Sequence, residues 1–181
     1  MKLNRAMKSR LLMTAALLMT AGAGIGQTPR PSPAAETSAT VNGKNITIKY
    51  SAPSMRGRKI FGATDALEPD NKVWRAGANE ATALHTDAEL TVGSLKIPPG
   101  DYTLFVWLDP KVWKLIVNKQ TGQEGTDYHE DQDLGRVPMI MSKPPAPLET
   151  YKMTVASAGG NKGTLRLEWE NVIASVNFTA R

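Results

Sequence analysis

The chain reads as an all-β protein: an antiparallel β-sandwich of jelly-roll character, in one domain, behind an N-terminal signal peptide. Three observations predict it. Beyond residue 38, apolar residues alternate with polar ones in short runs. Glycine and proline clusters punctuate those runs at short intervals. No stretch after the leader sustains a 3.6-residue period, which an amphipathic helix requires.

The elements follow in order. Ile46, Ile48 and Tyr50 alternate with Thr47 and Lys49, and Asn42-Gly43 ahead of them is a hairpin-turn pair. Leu90 and Val92, then Leu95 and Ile97, flank Gly93-Ser94 as a second hairpin. Pro98-Pro99-Gly100 turns the chain into Tyr102 to Leu108, which is apolar on both faces and predicts a central strand covered on both sides. Asp109-Pro110-Lys111 is a turn, and Val112 to Asn118 is the expected partner strand, with Trp113, Leu115 and Val117 on one face. Gly122 to Asp133 is polar and acidic, hence a loop. Val137 to Ser142 reads as one short strand, and Pro144, Pro145 and Pro147 exclude regular structure after it. Tyr151, Met153 and Val155 alternate; Gly159-Gly160-Asn161 turns the chain; Leu165, Leu167 and Trp169 alternate; Val172, Ala174, Val176 and Phe178 close the domain.

The first 26 residues have the form of an export leader. Lys2, Arg5, Lys8 and Arg10 precede the apolar run from Leu11 to Ala21, and small residues follow. The expected organisation is a signal peptide over 1–26, a flexible proline-rich linker over 27–38 (Pro29, Pro31, Pro33), and the sandwich over 39–181. Periplasmic or secreted residence follows from the leader. The formal net charge is +5; the leader contributes four lysines and arginines and no acid, so the rest of the chain carries +1. The basic balance of the whole chain is therefore no signal for nucleic acid or an anionic membrane. With no cysteine, disulfides, thiolate metal sites and the lipoprotein anchor are excluded, and stability must rest on the apolar core.

Chemistry concentrates between Tyr50 and Thr82. Arg56, Arg58 and Lys59 surround Gly57; Trp74, Arg75, Asn79 and Glu80 follow among glycine and alanine. Guanidinium forks take carboxylates or phosphates bidentately, and glycine allows close backbone approach. Arg58, Arg75, Asn79 and Glu80, with Trp74 beside them, are the expected ligand-binding residues for a small anionic or polyhydroxylated ligand. The alternative is a brace, in which Arg58 or Arg75 pairs with Glu80 or Asp133. Glu80 is the candidate for a general base. His85 and His129 lie in no metal-ligand spacing, and neither a metal nor a cofactor is implied. No Gly-x-Ser-x-Gly occurs. Trp107, Trp113 and Trp169 lie in alternating runs and are expected in the core.

Tyr50-Ser51-Ala52-Pro53-Ser54 with Arg56-Gly57-Arg58-Lys59-Ile60-Phe61-Gly62, Val73-Trp74-Arg75-Ala76-Gly77-Ala78-Asn79-Glu80-Ala81-Thr82, Ile97-Pro98-Pro99-Gly100-Asp101-Tyr102, Asp133-Leu134-Gly135-Arg136-Val137 and Leu165-Arg166-Leu167-Glu168-Trp169-Glu170 resemble the signature of domain of unknown function 2911. The likeness runs from about Ala39 to Phe178. It implies an exported bacterial β-rich protein and carries no catalytic role with it. Members often have Trp-Gly before the tyrosine of the acidic loop; here Glu124-Gly125 stands in its place. The Asp133 and Arg136 pair fits the pattern and implies that the acidic loop lies against Arg58 or Arg75, as a brace or as the wall of a site. Three functions remain open: a non-enzymatic binding module, a structural envelope protein with a braced loop, and a small hydrolase or lyase using Glu80.

Overall fold

The computed structural model describes residues 30–181. The leader and the first residues of the linker lie outside them. The strands in chain order are β1 (Ala34–Val41), β2 (Lys44–Ser51), β3 (Phe61–Gly62), β4 (Glu68–Pro69), β5 (Val73–Trp74), β6 (Thr82–Thr86), β7 (Leu90–Val92), β8 (Leu95–Ile97), β9 (Gly100–Trp107), β10 (Lys114–Asn118), β11 (Asp133–Pro138), β12 (Ile140–Ser142), β13 (Leu148–Ser157), β14 (Lys162–Glu170) and β15 (Val172–Ala180). Among the described residues one 3-10 turn, Glu130–Gln132, precedes β11. Among the described residues no helix is long and apolar enough to cross a membrane.

Two antiparallel sheets face each other. One runs β1-β2-β6-β9-β10-β11, with β5 also on β9; the other runs β13-β14-β15-β7-β8, with β12 also on β15. The short pair β3 and β4 is parallel. Alternation along each strand sends Ile46, Ile48, Leu84, Leu104, Leu115 and Val117 of the first sheet against Leu90, Val92, Ile97, Val155, Leu165, Val176 and Phe178 of the second. Each such side chain contributes about 1.5–3 kcal/mol on leaving water. The outer strands meet as well. The Val155 amide of β13 donates to the Thr37 hydroxyl of β1 (3.1 Å), and Gly135 of β11 packs on Leu95 of β8.

One end of the core is aromatic. Phe61 stands edge-on to Trp74, Trp113 and Trp169, with ring centroids 5.2, 4.6 and 5.7 Å away. Trp74 stands edge-on to Tyr151 at 5.1 Å. The Glu170 carboxylate, itself buried, closes this end by accepting the Ile60 and Phe61 amides, each at 3.1 Å.

Four expectations are corrected. The linker was expected to reach residue 38, but β1 begins at Ala34 and pairs with β2 through Ala34 opposite Ser51. Its inward positions are Ala35, Thr37, Ala39 and Val41, of which only the last is large, too little to register as a hydrophobic period. The run from Val137 to Ser142 is two strands in different sheets, β11 on β10 and β12 on β15; the chain crosses at Met139, whose amide donates to the Trp113 carbonyl. Trp107 is only half-buried, while Trp74, expected beside a polar site, is sealed in the aromatic cluster at 1% exposure.

Candidate functional site

The first motif block follows β2 off the sheet. Its backbone runs alongside β13: the Met55 amide donates to the Glu149 carbonyl and the Tyr151 amide to the Pro53 carbonyl. Arg56 and Gly57 turn the chain with positive φ (50° and 72°). Arg58 is spent on that turn. Its Nε donates to the Met55 carbonyl (2.9 Å) and its Nη2 to the Ser54 carbonyl (2.8 Å). Lys59 pairs with Asp65 (2.9 Å).

The second block leaves β5 in a contorted loop. Ala76 and Asn79 both adopt positive φ (50° and 58°), a conformation that costs a residue with a β-carbon about 1–3 kcal/mol unless its surroundings enforce it. They do so here. The Thr82 hydroxyl donates to the Ala76 carbonyl (2.9 Å). The Asn79 side-chain amide donates to the Ser32 carbonyl (3.1 Å) and the Ser51 hydroxyl (3.2 Å). Gly77 is required because a β-carbon there would stand 3.0 Å from the Ser51 carbonyl oxygen.

Residues 30–33 form a strap over these loops. Arg56 donates to the Pro31 carbonyl, Asn79 to the Ser32 carbonyl, and the Ala52 amide to the Pro33 carbonyl. Arg30 closes the strap with an ion pair to Glu80. That hydrogen bond holds the Glu80 carboxyl below the usual glutamate range.

The acidic loop covers the second block from the other side. The Ala81 amide donates to the Gln123 carbonyl and the Gly125 amide to the Asn79 carbonyl. Beyond it, Tyr128 donates to Asp133 (2.8 Å), and Arg136 donates to Asp133 (2.9 Å), to the Tyr128 hydroxyl (2.7 Å) and to Glu130 (2.7 Å). Burial and the Asp133 carboxylate push the Tyr128 phenol well above its ordinary range. Asp133 thus serves Arg136 and Tyr128, not Arg58 or Arg75.

The expected site residues divide. Trp74 and Arg75 border one hollow of about 470 Å³, together with Glu68, Lys72, Phe105 and Tyr128. Glu80 borders a different hollow, between β1, β2 and Gln123. Arg58 and Asn79 line neither and are occupied by internal hydrogen bonds. The Glu80–Arg30 pair takes the place of the expected pairing of Glu80 with Arg58 or Arg75.

The Arg75 hollow has a distinctive chemistry. Arg75 is half-buried, yet its guanidinium makes no hydrogen bond or ion pair among the described residues. Glu68 on β4 is likewise half-buried and unpartnered. Burial raises the Glu68 carboxyl above the ordinary glutamate range, with Arg75 and Lys72 opposing that rise in part. Lys72 stands exposed at the rim. Phe105 and Tyr128 meet edge-on at 4.9 Å beside it. The indole N–H of Trp74, buried in the protein, has no acceptor among the described residues. No group of three His, Asp or Glu side chains among the described residues is placed to hold a metal ion.

Sequence reasoning did not single out Glu68, Lys72, Phe105 or Tyr128 for this hollow. Glu68 and Lys72 lie in the spacer between the two motif blocks, where nothing but their charge marks them. They reach the hollow because β3 and β4 fold the spacer back, with the Glu68 amide on the Ile60 carbonyl and the Asp70 amide on the Gly62 carbonyl.

No curated protein and no solved structure matches the chain. The family model described as "Protein of unknown function (DUF2911)" matches residues 32–178, nearly all of the sandwich and both motif blocks, and the chain belongs to that family.

Proposed function

We propose that this protein is an exported, non-enzymatic binding module for a small anionic ligand, residing in the periplasm or secreted, and that the ligand enters the hollow bordered by Glu68, Lys72 and Arg75. One observation carries the reading: a half-buried arginine faces that hollow with its guanidinium unpartnered. Among the described residues none of its nitrogens is sealed from water, so the fork stands open to solvent and is free to take an entering anion bidentately. Lys72 adds charge at the rim. The hollow's volume falls in the range of small-molecule sites.

The test titrates the full chain, and its Arg75→Ala variant, with a panel of sugar acids, phosphates and short peptides. Calorimetry is the readout, because it does not require the ligand to touch Trp74, which is sealed in the aromatic cluster. Saturable responses abolished by Arg75→Ala are expected. Flat responses across the panel for the unaltered chain reject the reading.

The braced-loop alternative draws support from Arg58, Asn79 and Glu80, all three of which are consumed by internal bonds. The hydrolase or lyase alternative is weakened by the same ion pair. A base for neutral pH needs a raised pKa, and Arg30 moves Glu80 the opposite way.

A further inference from the structure

Glu68 and Arg75 border the same hollow with opposite charges, each half-buried, and neither is satisfied by the other or by any described residue. Two such groups close enough to attract one another would ordinarily pair, because pairing returns part of what each loses on leaving water. No ion pair joins them in the folded chain. Their backbones are anchored separately: the Glu68 amide, on β4, donates to the Ile60 carbonyl, and the stem of Arg75 lies under Gly125, where a β-carbon would stand 2.5 Å from Arg75 Cδ. A carboxylate ligand alone would answer Arg75 and Lys72 but would sit against the Glu68 charge. A cation alone would answer Glu68 and meet the two bases.

We propose that the ligand of this hollow is a zwitterion of the α-amino-acid type, its carboxylate on Arg75 and Lys72 and its ammonium on Glu68. The proposal rests on the binding-module reading and narrows it to a substrate class. The accessible apolar remainder of the wall, Val73 and Tyr128, with the buried Phe105 behind Tyr128, fits an apolar or aromatic side chain on that amino acid. Charge-assisted hydrogen bonds at both ends are the strong kind, so losing either end should be visible.

The experiment uses the full chain and three probes of matched shape: L-phenylalanine, 3-phenylpropionate, which lacks the ammonium, and phenethylamine, which lacks the carboxylate. Tryptophan fluorescence and calorimetry follow binding. Phenylalanine should bind at least about tenfold more tightly than either relative, a factor corresponding to one charge-assisted contact. In Glu68→Gln, phenylalanine and 3-phenylpropionate should bind alike; in Arg75→Ala neither should bind. Equal affinity of phenylalanine and 3-phenylpropionate for the unaltered chain overturns the zwitterion while leaving the anion site standing. Absence of binding by all three probes, with sugar acids or phosphates still bound, overturns it also. A flat response to every ligand defeats both proposals. Thermal melting of Glu68→Gln accompanies the titration; should that variant unfold, the three-probe comparison on the unaltered chain decides by itself.

Discussion

Gly125 donates its amide to the Asn79 carbonyl at 2.9 Å, and its missing side chain leaves the room that the Arg75 stem occupies. A β-carbon at that place would stand 2.5 Å from Arg75 Cδ and 2.7 Å from the Asn79 carbonyl oxygen. The glycine therefore sets both the height of the acidic loop and the direction of the guanidinium. Gly125→Ala should cost about 1–3 kcal/mol, the usual range for overpacking a closed site. Urea unfolding measures the loss. Ligand response should fall with it, because the arginine is displaced.

Glu170 offers a sharper stability test. Its buried carboxylate accepts two backbone amides, from Ile60 and Phe61. Glu170→Ala leaves both without that acceptor, so a loss of about 2–4 kcal/mol is expected. Glu170→Gln retains one acceptor oxygen and should lose less. Equal melting temperatures for the alanine variant and the parent would contradict this account of the aromatic end.

The strap makes the opposite forecast. Arg30 and Glu80 are both well exposed, and pairs in water add little. Glu80→Gln should leave the melting temperature unchanged within error at neutral pH. Because Arg30 depresses the Glu80 pKa, the contribution of the pair is present above the ordinary glutamate pKa and is lost as pH falls through the depressed one. A large fall in melting temperature for Glu80→Gln at pH 7 would mean the strap is a main support of the fold.

His85 on β6 stands between two carboxylates, Asp101 at 2.7 Å from Nδ1 and Asp87 at 3.2 Å from Nε2. Those hydrogen bonds, Asp101 first, raise its pKa above the ordinary histidine value. The stabilisation from protonated His85 is thus full below that ordinary value and disappears as pH rises through the raised one. An NMR titration should place His85 above a free histidine, and Asp101→Asn should bring it down. The effect on melting should be small, since the side chain is half exposed.

The ammonium end of the proposed ligand gives a pH signature of its own. Glu68 must be ionised to hold it, and burial raises the Glu68 pKa. The affinity of phenylalanine, whose own carboxylate stays ionised, should therefore begin to fall, on acidification, at a pH higher than an ordinary glutamate would require, and Glu68→Gln should remove that fall. An affinity for the unaltered chain constant down to the ordinary carboxylate range would separate Glu68 from the ammonium.

The sandwich was legible wherever large apolar residues alternate. Ile46 and Ile48, Leu165 to Trp169, and the doubly covered run from Tyr102, which ends at Trp107 rather than Leu108, fall on strands. The Asn42-Gly43 pair makes the expected turn with positive φ at both residues. β1 escaped notice because Ala35, Thr37 and Ala39 are small, and its strand character comes from pairing with β2. The candidate site was half legible. Arg75 stood out as a guanidinium among glycines, but composition alone could not separate it from Arg58, which bonds to carbonyls three and four residues back. Trp74 misled for a related reason. Sequence adjacency placed it beside Arg75, whereas alternation on β5 turns its indole into the aromatic core. Glu68 was invisible, since its significance comes from burial without a partner.

The meeting of β1 with β13 and of β11 with β8 turns two open sheets into an almost continuous ring. A long unpaired strand border is a template on which a second polypeptide can build, the first step toward fibrils. Here the longest borders are sheltered by the molecule's own strands. The short β12 lies between Pro138 and the prolines from Pro144 onward, residues unable to donate to a growing ladder. A cysteine-free domain of this design guards against runaway assembly by its outline, without a covalent cross-link.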